Sequence, residues 1–295
     1  MTVKNPFRIG SIRRFAWAGA PLLVVLIFVG SRVLPLDAAD ADKPAAADIE
    51  IVQASEVKWT PLNPARGDKG PQAGTLWGNR AGREGTGFLV KFVDGFSSPP
   101  HIHNVTYRGV VISGLVHNDD PEAEKIWMPK GSFWTQPAGE VHITAAKGDE
   151  NVAFIEIESG PYLVLPSEDA SDNGERPINV HPSNLVWLDS AHTTWIADSA
   201  TAQIAFLWGK PENGETNGTF LKLPAGFDGQ IRSDASVFRL VVIEGEVNTG
   251  KPEAKTLEPG SYLRSDGPST IRLTNEEDVP GVVYIRAEGV YQVID

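Results

Sequence analysis

The sequence predicts an all-β protein with two consecutive barrels, and three observations support this prediction. Short runs of β-branched and aromatic residues, each bounded by Gly, Pro, Asp or Asn, recur along the chain. No long apolar stripe with the helical period competes with these runs. Finally, Leu76-Trp77-Gly78 recurs as Leu207-Trp208-Gly209, an offset of 131 residues that other landmarks share. A constant offset indicates a duplicated domain, and regularly spaced short strands are typical of sandwiches and barrels.

The amino terminus has the composition of an export segment. Four basic residues (Lys4, Arg8, Arg13 and Arg14) precede an apolar run over 15–30, and Ala39-Asp40-Ala41 offers a small-x-small cleavage site before Asp42. Residues 1–41 are therefore predicted to be a signal peptide or, if uncleaved, a membrane anchor. We expect a periplasmic or otherwise exported protein, attached to the inner membrane only if this segment stays uncleaved.

The rest of the chain is predicted to divide into a linker, a barrel, a second linker and a second barrel. Residues 42–55 are mostly Ala, Asp and Pro ahead of a few apolar residues, which is typical of a solvated linker. The first barrel is assigned to 56–166 and the second to 183–295, separated by the polar, turn-forming linker 167–182. The strongest strand signals are 87–93, 108–112 and 152–157 in the first barrel, and 239–243 and 281–285 in the second.

The composition excludes several classes of function. The 295 residues include no cysteine, so disulfides, thiolate metal sites and cysteine nucleophiles are excluded. The net charge is −12, and residues 1–36 carry five basic residues and no acidic one, so the remainder is more acidic still. An acidic surface repels phosphate backbones, and we expect no nucleic-acid partner. The motifs of serine hydrolases, P-loop enzymes and dinucleotide-binding enzymes are also absent from the sequence.

Three of the six histidines stand in two motifs whose spacing suits one metal ion. His101 and His103 are two residues apart, so on a strand their rings leave the same face. His142 closes the second motif, which begins at Gly131, and would add a third nitrogen from another strand. The sequence predicts one divalent transition metal at these histidines, and Fe, Zn, Cu, Ni and Mn all remain open.

The two motifs resemble the paired signatures of the cupin superfamily, G-x5-H-x-H-x3-E-x6-G and G-x5-P-x-G-x2-H-x3-N. The matching positions are Gly95, His101, His103 and Gly114 in the first signature, and Gly131, Pro137, Gly139 and His142 in the second. Tyr107 stands where the family has glutamate, and Ala146 where it has asparagine. The resemblance implies two tandem jelly-roll barrels, also called double-stranded β-helices, after the amino-terminal segment.

Two closer resemblances add expectations. With a Leu-Trp-Gly segment ahead of each barrel, the chain is similar to two-barrel cupins related to the barrel of the ChrR-type anti-sigma factor. Its three histidines without a glutamate also resemble the site of cupin dioxygenases that cleave β-diketones.

The second copy of the motif lacks the metal ligands. At the constant offset, His101 corresponds to Arg232 and His103 to Asp234. Gly131 corresponds to Gly260, two residues earlier than the offset predicts, which puts Ile271 in the place of His142. The second barrel is therefore predicted to bind no metal in this way and to have a structural or substrate-shaping role.

Two residues are candidate catalytic groups beside the metal. Tyr107 could be a metal ligand, but we favour a hydrogen-bonding or pocket-lining role because a phenol ordinarily ionises only near pH 10. Glu140 could orient a ligand or act as a general base, or it could be a surface carboxylate at a turn. Gln136 is a similar supporting candidate. We expect His117 to be exposed in an acidic loop and leave it out of the site.

Three neutral imidazoles do not cancel the charge of a divalent ion and leave coordination positions open for water, dioxygen or a chelating substrate. Our first hypothesis is an exported, dioxygenase-like metal enzyme acting on a small oxygen-chelating organic substrate. The alternative is a noncatalytic metal-binding, ligand-binding or sensory protein of the cell envelope. In both cases the expected partner is a small molecule, and a homodimer is compatible with the sequence.

Overall fold

A computed structural model of the chain describes residues 48–250 and 254–295, so the predicted export segment lies outside the described residues and stays a prediction. The strands up to the end of the first barrel are β1 (Ile49–Val52), β2 (Trp59–Pro61), β3 (Gln72–Trp77), β4 (Thr86–Phe92), β5 (His101–His103), β6 (Tyr107–Asp119), β7 (Phe133–Gln136), β8 (Ile143–Ile157), β9 (Val164–Pro166) and β10 (Ile178–Val180). The later strands are β11 (Gln203–Gly209), β12 (Thr216–Leu223), β13 (Asp228–Ser233), β14 (Val237–Glu244), β15 (Val247–Thr249), β16 (Thr256–Leu257), β17 (Tyr262–Asp266), β18 (Ser269–Thr274), β19 (Gly281–Glu288) and β20 (Tyr291–Ile294).

The helices of the described residues are four short 3-10 helices, at Ala54–Glu56, Pro64–Lys69, Ser167–Asp169 and Pro182–Asn184. None of them is long and apolar enough to cross a membrane.

The sheets form two jelly-roll barrels, which confirms the predicted all-β fold. The first barrel consists of a seven-stranded sheet in the order β10-β7-β6-β8-β4-β3-β2 and the strand pair β5-β9. The second consists of a six-stranded sheet, β1-β17-β14-β19-β12-β11, and a five-stranded sheet, β16-β15-β18-β13-β20. All pairs between these strands are antiparallel, so inward and outward residues alternate along each strand.

Three apolar cores stabilise this arrangement. One fills the interior of the second barrel, where Phe238, Ile271 and Tyr291 are almost completely buried. Another lies inside the first barrel around Phe88 and Trp134. The third contains side chains of both barrels, including Phe154 and Tyr284, whose ring centroids are 5.4 Å apart. The two barrels therefore pack through a shared core.

Each barrel also receives a strand from the segment that precedes the other barrel. β1 comes before the first barrel in the sequence but pairs with β17 of the second, with Ile51 opposite Leu263. Conversely, β10 precedes the second barrel and pairs with β7 of the first, with Val180 opposite Phe133. The segments predicted to be linkers thus contain strands, because an alternating apolar pair such as Ile49 and Ile51 can pack against the neighbouring core.

The register of the second barrel differs from the constant offset of 131. In the first barrel, His101 pairs with His142; in the second, Ile231 pairs with Ile271. Ile231 and Ser233 point inward, whereas Arg232 and Asp234 are exposed. The assignment of Arg232 and Asp234 to the ligand positions is therefore wrong by one residue, because the segment from Gly226 to Ile231 is one residue shorter than the equivalent segment from Gly95 to His101. Ile231, Ser233 and Ile271 occupy the ligand positions, and none of them has a nitrogen ligand to offer a metal.

Candidate metal centre

Strand pairing brings the three predicted ligands together. β5 pairs on one side with β9, where His103 lies opposite Val164. On its other side, His101 and His142 exchange two backbone hydrogen bonds, with N···O distances of 3.1 and 3.0 Å. The pleat of β5 then directs His101 and His103 to one face, and His142 joins them from the next strand.

The three side chains form a compact and buried cluster. One ring nitrogen from each histidine can be chosen so that all three lie within 4.8 Å of one another. The ring centroids of His101 and His142 are 4.3 Å apart, and those of His101 and His103 are 5.0 Å apart. The exposed fractions of His101, His103 and His142 are 8%, 2% and 0%, so a metal held here would be largely shielded from bulk water.

Backbone carbonyls determine the tautomer of all three rings. The Nδ1–H groups donate to the carbonyls of Pro99, Leu163 and Glu140 respectively, at distances of 2.9, 2.9 and 3.2 Å. A carbonyl can only accept, so each Nδ1 carries the proton and each Nε2 is unprotonated. This is the tautomer that a metal requires, and a hydrogen bond from the other ring nitrogen is the usual support of a histidine ligand.

The cluster is held in the neutral state. Burial, followed by the neighbouring His101, lowers the pKa of His142 to about 3. Burial also lowers the pKa of His103 well below its ordinary value and lowers that of His101. Three neutral imidazoles with unprotonated Nε2 atoms at close range fit the donor set of a divalent transition metal.

Tyr107 is held in a buried chain of hydrogen bonds that starts at a backbone carbonyl. The carbonyl of Glu140 accepts from Nε2 of Gln136, at 3.3 Å, so the Gln136 oxygen faces Asn118 and accepts from its Nδ2, at 2.9 Å. The oxygen of Asn118 then faces the Tyr107 hydroxyl and accepts its proton, at 2.8 Å. Thr144 donates to the same oxygen, at 2.7 Å. Because the carbonyl at the start can only accept, the direction of every bond in the chain is determined.

The Tyr107 oxygen therefore presents lone pairs, and no proton, to the histidine cluster. It lies 3.4 Å from Nε2 of His142, which is also an acceptor. Burial raises the pKa of Tyr107 far above its ordinary value, so the phenol stays protonated toward Asn118. Two acceptors facing each other in a buried site favour a cation or a hydrogen-bond donor between them.

Tyr162 is a residue of the site that the sequence did not indicate. Its ring stacks on His103 with a centroid distance of 4.4 Å, and its hydroxyl donates to Nε2 of His103, at 3.2 Å. Burial raises its pKa well above the ordinary value, so it is a proton donor. It lies 59 residues after His103 and belongs to neither signature, so no local pattern could have assigned it.

The other candidates take different positions. The side chain of Glu140 lines a separate shallow cavity with Asp172 and Arg176, and only its backbone carbonyl contacts the site. Partial burial raises the pKa of Glu140, an effect opposed by Arg176. Gln136 has the supporting position predicted for it, because its side chain bonds Asn118, which in turn bonds Tyr107. His117 is only 1% exposed, contrary to expectation, because it lies within β6 beneath the segment that contains Ile126 and Trp127.

A cavity of about 340 Å³ opens next to the cluster. His101, His103, Tyr107 and Tyr162 lie on its wall, together with apolar side chains that include Phe92 and Phe96. The volume is at the lower end of the usual range for ligand pockets, about 300–1,000 Å³. The site can therefore admit a small organic molecule beside a metal.

Comparisons with known proteins identify the fold. The sequence matches the family described as "Domain of unknown function (DUF4437)" over residues 50–294. None of the curated proteins compared matches the chain. Similar solved structures include a candidate dioxygenase from Nostoc punctiforme PCC 73102, with 15% identity, a TM-score of 0.63 and coverage of 85% of this chain and 86% of that one.

Two further solved structures are similar to this chain in fold. The oxalate decarboxylase of Lactobacillus farciminis in complex with formate has 11% identity and a TM-score of 0.54, covering 86% of this chain and 90% of that one. YlbA from E. coli, matched to the family DUF861, has 12% identity and a TM-score of 0.55, covering 84% and 94%. These neighbours are cupin-fold proteins, and at such identities they show the fold alone. The closer resemblance to ChrR-type cupins stays a prediction.

Proposed function

This chain belongs to the DUF4437 family, and we propose that its first barrel is a metal-dependent enzyme site for a small oxygen-chelating organic molecule. The observation that carries this proposal is the convergence of His101, His103 and His142, each with an unprotonated Nε2 and a carbonyl-bound Nδ1. Three protein ligands and an adjacent cavity are typical of catalytic metal sites, which keep positions open, whereas structural sites are closed by four ligands.

We further propose a reaction of the dioxygenase class with iron as the metal. The similarity to a candidate dioxygenase supports this class. A bound iron ion would supply redox chemistry and polarise the oxygen atoms of a chelating substrate.

The protein side of this chemistry is performed by groups already in place. Tyr162 donates its hydroxyl proton to Nε2 of His103, and this proton would become available to a ligand oxygen once a metal held that nitrogen. Tyr107 offers an acceptor on the other side of the cluster because its proton is bonded to Asn118. Apolar walls that include Phe92 and Phe96 limit the access of water.

The proposed metal site is tested by its stoichiometry. We expect about one metal ion per chain, since three imidazoles are the usual protein share of an open site, and near-complete loss in His101→Ala, His103→Ala or His142→Ala. His192→Ala is the matched control, because His192 is exposed and pairs with Asp189. Elemental analysis of protein purified without a histidine tag measures the metal content. Full metal occupancy in the triple variant, in which alanine replaces His101, His103 and His142 together, would refute the site.

Oxygen uptake then separates the two classes of function. The iron-loaded protein is expected to consume oxygen when acetylacetone or a related β-diketone is added, and the triple variant is not. A protein that binds metal and diketones but consumes no oxygen with any of the five metals would instead support the noncatalytic alternative.

A further inference from the structure

Arg66 lines the cavity of the proposed metal site and is the one charged residue among the side chains that line it. It lies in the 3-10 helix Pro64–Lys69, whose first turn is held by Asn63: the Asn63 side chain accepts from the N–H of Ala65, and its carbonyl accepts from the N–H of Arg66. The backbone of Arg66 is thus anchored, and its exposed side chain lines the cavity.

The guanidinium of Arg66 has no ion pair or hydrogen bond within the described parts of the chain. Most other arginines close to the barrels do have one, such as Arg108 with Glu158 and Arg272 with Asp228. Arg66 lines the same cavity as His101 and His103.

Among residues 48–250 and 254–295, no acidic residue lines this cavity. A metal held by three neutral imidazoles keeps its positive charge, so the site would contain a divalent cation and a guanidinium with no negative charge to balance them. The protein as a whole has a net charge of −12. A local excess of positive charge at this cavity would therefore distinguish it from the rest of the protein and favour an anionic ligand. The wall of the cavity also includes apolar side chains, among them Leu62, Phe92, Phe96 and Ile155.

We propose, on the basis of the function above, that the substrate is an organic anion: a small molecule with oxygen atoms for the metal, an apolar body for the cavity wall and a carboxylate for Arg66. Arg66 then determines specificity. A guanidinium binds a carboxylate through two parallel hydrogen bonds, which a neutral ligand of the same shape cannot form.

Two matched probes test this assignment. Benzoylpyruvate and benzoylacetone share a phenyl ring and a β-diketone, but the first ends in a carboxylate where the second has a methyl group. Both are titrated calorimetrically into the zinc-loaded protein, because zinc has no redox chemistry and turnover does not interfere. We expect the wild-type protein to bind benzoylpyruvate at least about tenfold more tightly, the usual effect of a charge-assisted hydrogen bond.

Variants test whether Arg66 causes the preference for benzoylpyruvate. Arg66→Gln should weaken benzoylpyruvate about tenfold and leave benzoylacetone unchanged, while Arg66→Lys should keep part of the preference. Lys69→Gln is the matched control, since Lys69 is exposed in the same 3-10 helix but does not line the cavity. It should bind both probes as the wild type does.

Each contrary outcome has a separate meaning. Equal binding of both probes by the wild type, an unchanged preference in Arg66→Gln, or an equal loss in Lys69→Gln would overturn the role of Arg66. The metal content of every sample is measured in parallel. Absence of metal from the wild-type protein would refute the proposed function itself, whereas full metal content without a carboxylate preference would refute only the assignment of the anion.

Discussion

At the scale of single residues, proton positions decide what the site can bind. The backbone carbonyls of Pro99, Leu163 and Glu140 each accept a hydrogen bond from one imidazole Nδ1–H, and this leaves Nε2 of all three clustered rings unprotonated. The same carbonyl of Glu140 determines, through two amide side chains, that Tyr107 presents an acceptor. Tyr162 presents a donor. The two phenols therefore have opposite polarity, although both are tyrosines with raised pKa values.

This polarity makes the phenylalanine variants of the two tyrosines unequal. Tyr162→Phe should keep the metal but weaken the binding of benzoylacetone to the zinc-loaded protein about 2- to 10-fold, the range for one lost neutral hydrogen bond. Tyr107→Phe should keep both the metal and the affinity for benzoylacetone, because the hydroxyl proton of Tyr107 is already bonded to Asn118. Calorimetry and metal analysis measure the two effects. A ferric charge-transfer band that disappears in Tyr107→Phe, together with loss of metal, would show instead that Tyr107 is a ligand.

At the scale of strands, close packing explains the repeated Leu-Trp-Gly and glycine landmarks. Trp77 lies across Gly87 of the neighbouring strand, and Trp208 lies across Gly218 in the same way. A Cβ atom on Gly87 would be 2.1 Å from the Trp77 ring, and one on Gly218 would be 1.8 Å from the Trp208 ring. The tryptophan and the glycine therefore recur together, since any side chain at the glycine would displace the ring.

The exchanged strand β1 should stabilise the barrel that it does not precede. Ile49 and Ile51 pack against the core of the second barrel, so replacing both by alanine should lower the free energy of unfolding by about 2–4 kcal/mol in total, which is less than for fully buried sites. Glu50→Ala on the exposed side of the same strand is the control and should change little. Urea unfolding measures the difference. Equal stability of the double variant and the wild type would contradict a stabilising role for β1.

At the scale of the whole molecule, the two copies have diverged into complementary partners. Glu156 and Arg286 occupy equivalent positions, opposite Gly87 and Gly218 respectively, and their side chains meet at 3.5 Å between the barrels. Tyr284 donates to the same carboxylate, at 2.8 Å. An unchanged repeat would place like charges at these two positions, so the charge difference allows the barrels to pack together.

The second barrel has a packed apolar interior at the positions where the first barrel has its candidate metal ligands. Ile231 and Ile271 form the cross-strand pair that His101 and His142 form in the first barrel, and Phe238 stands at the position of Tyr107. Apolar side chains fill this interior, which supports a structural role for the second barrel.

The tightly packed tyrosines predict a loss of stability at alkaline pH. Burial raises the pKa of Tyr262, Tyr284 and Tyr291, whereas an unfolded tyrosine ionises near pH 10. Above about pH 10 the folded state keeps protons that the unfolded state releases, so stability is complete below that pH and falls as pH rises, by up to about 1.4 kcal/mol per pH unit for each tyrosine.

Denaturant unfolding at several pH values measures this slope, and tyrosinate absorbance follows ionisation. Tyr291→Phe should reduce the slope of unfolding free energy against pH by the contribution of one tyrosine. Appearance of tyrosinate in the folded protein near pH 10, without loss of structure, would contradict the prediction.

The sequence by itself determined the β class, the two barrels and the three histidines. These features depend on local patterns: the period of two along a strand, the turn residues between strands, and signature spacings within fewer than 50 residues. The loss of the ligands from the second copy was also evident, although a one-residue shift assigned Arg232 and Asp234 to positions that belong to Ile231 and Ser233. Such a shift reverses which face a residue occupies, and only strand pairing reveals it.

Tertiary structure alone decided the rest of the site. Tyr162 reaches His103 across 59 residues, Asn118 links Tyr107 to Gln136, and Arg66 comes to the cavity from a segment ahead of both signatures. None of these residues is in a motif. They contribute because the barrel brings distant backbone segments together, and because hydrogen bonds have a direction that is determined only when every donor and acceptor in the chain has its partner.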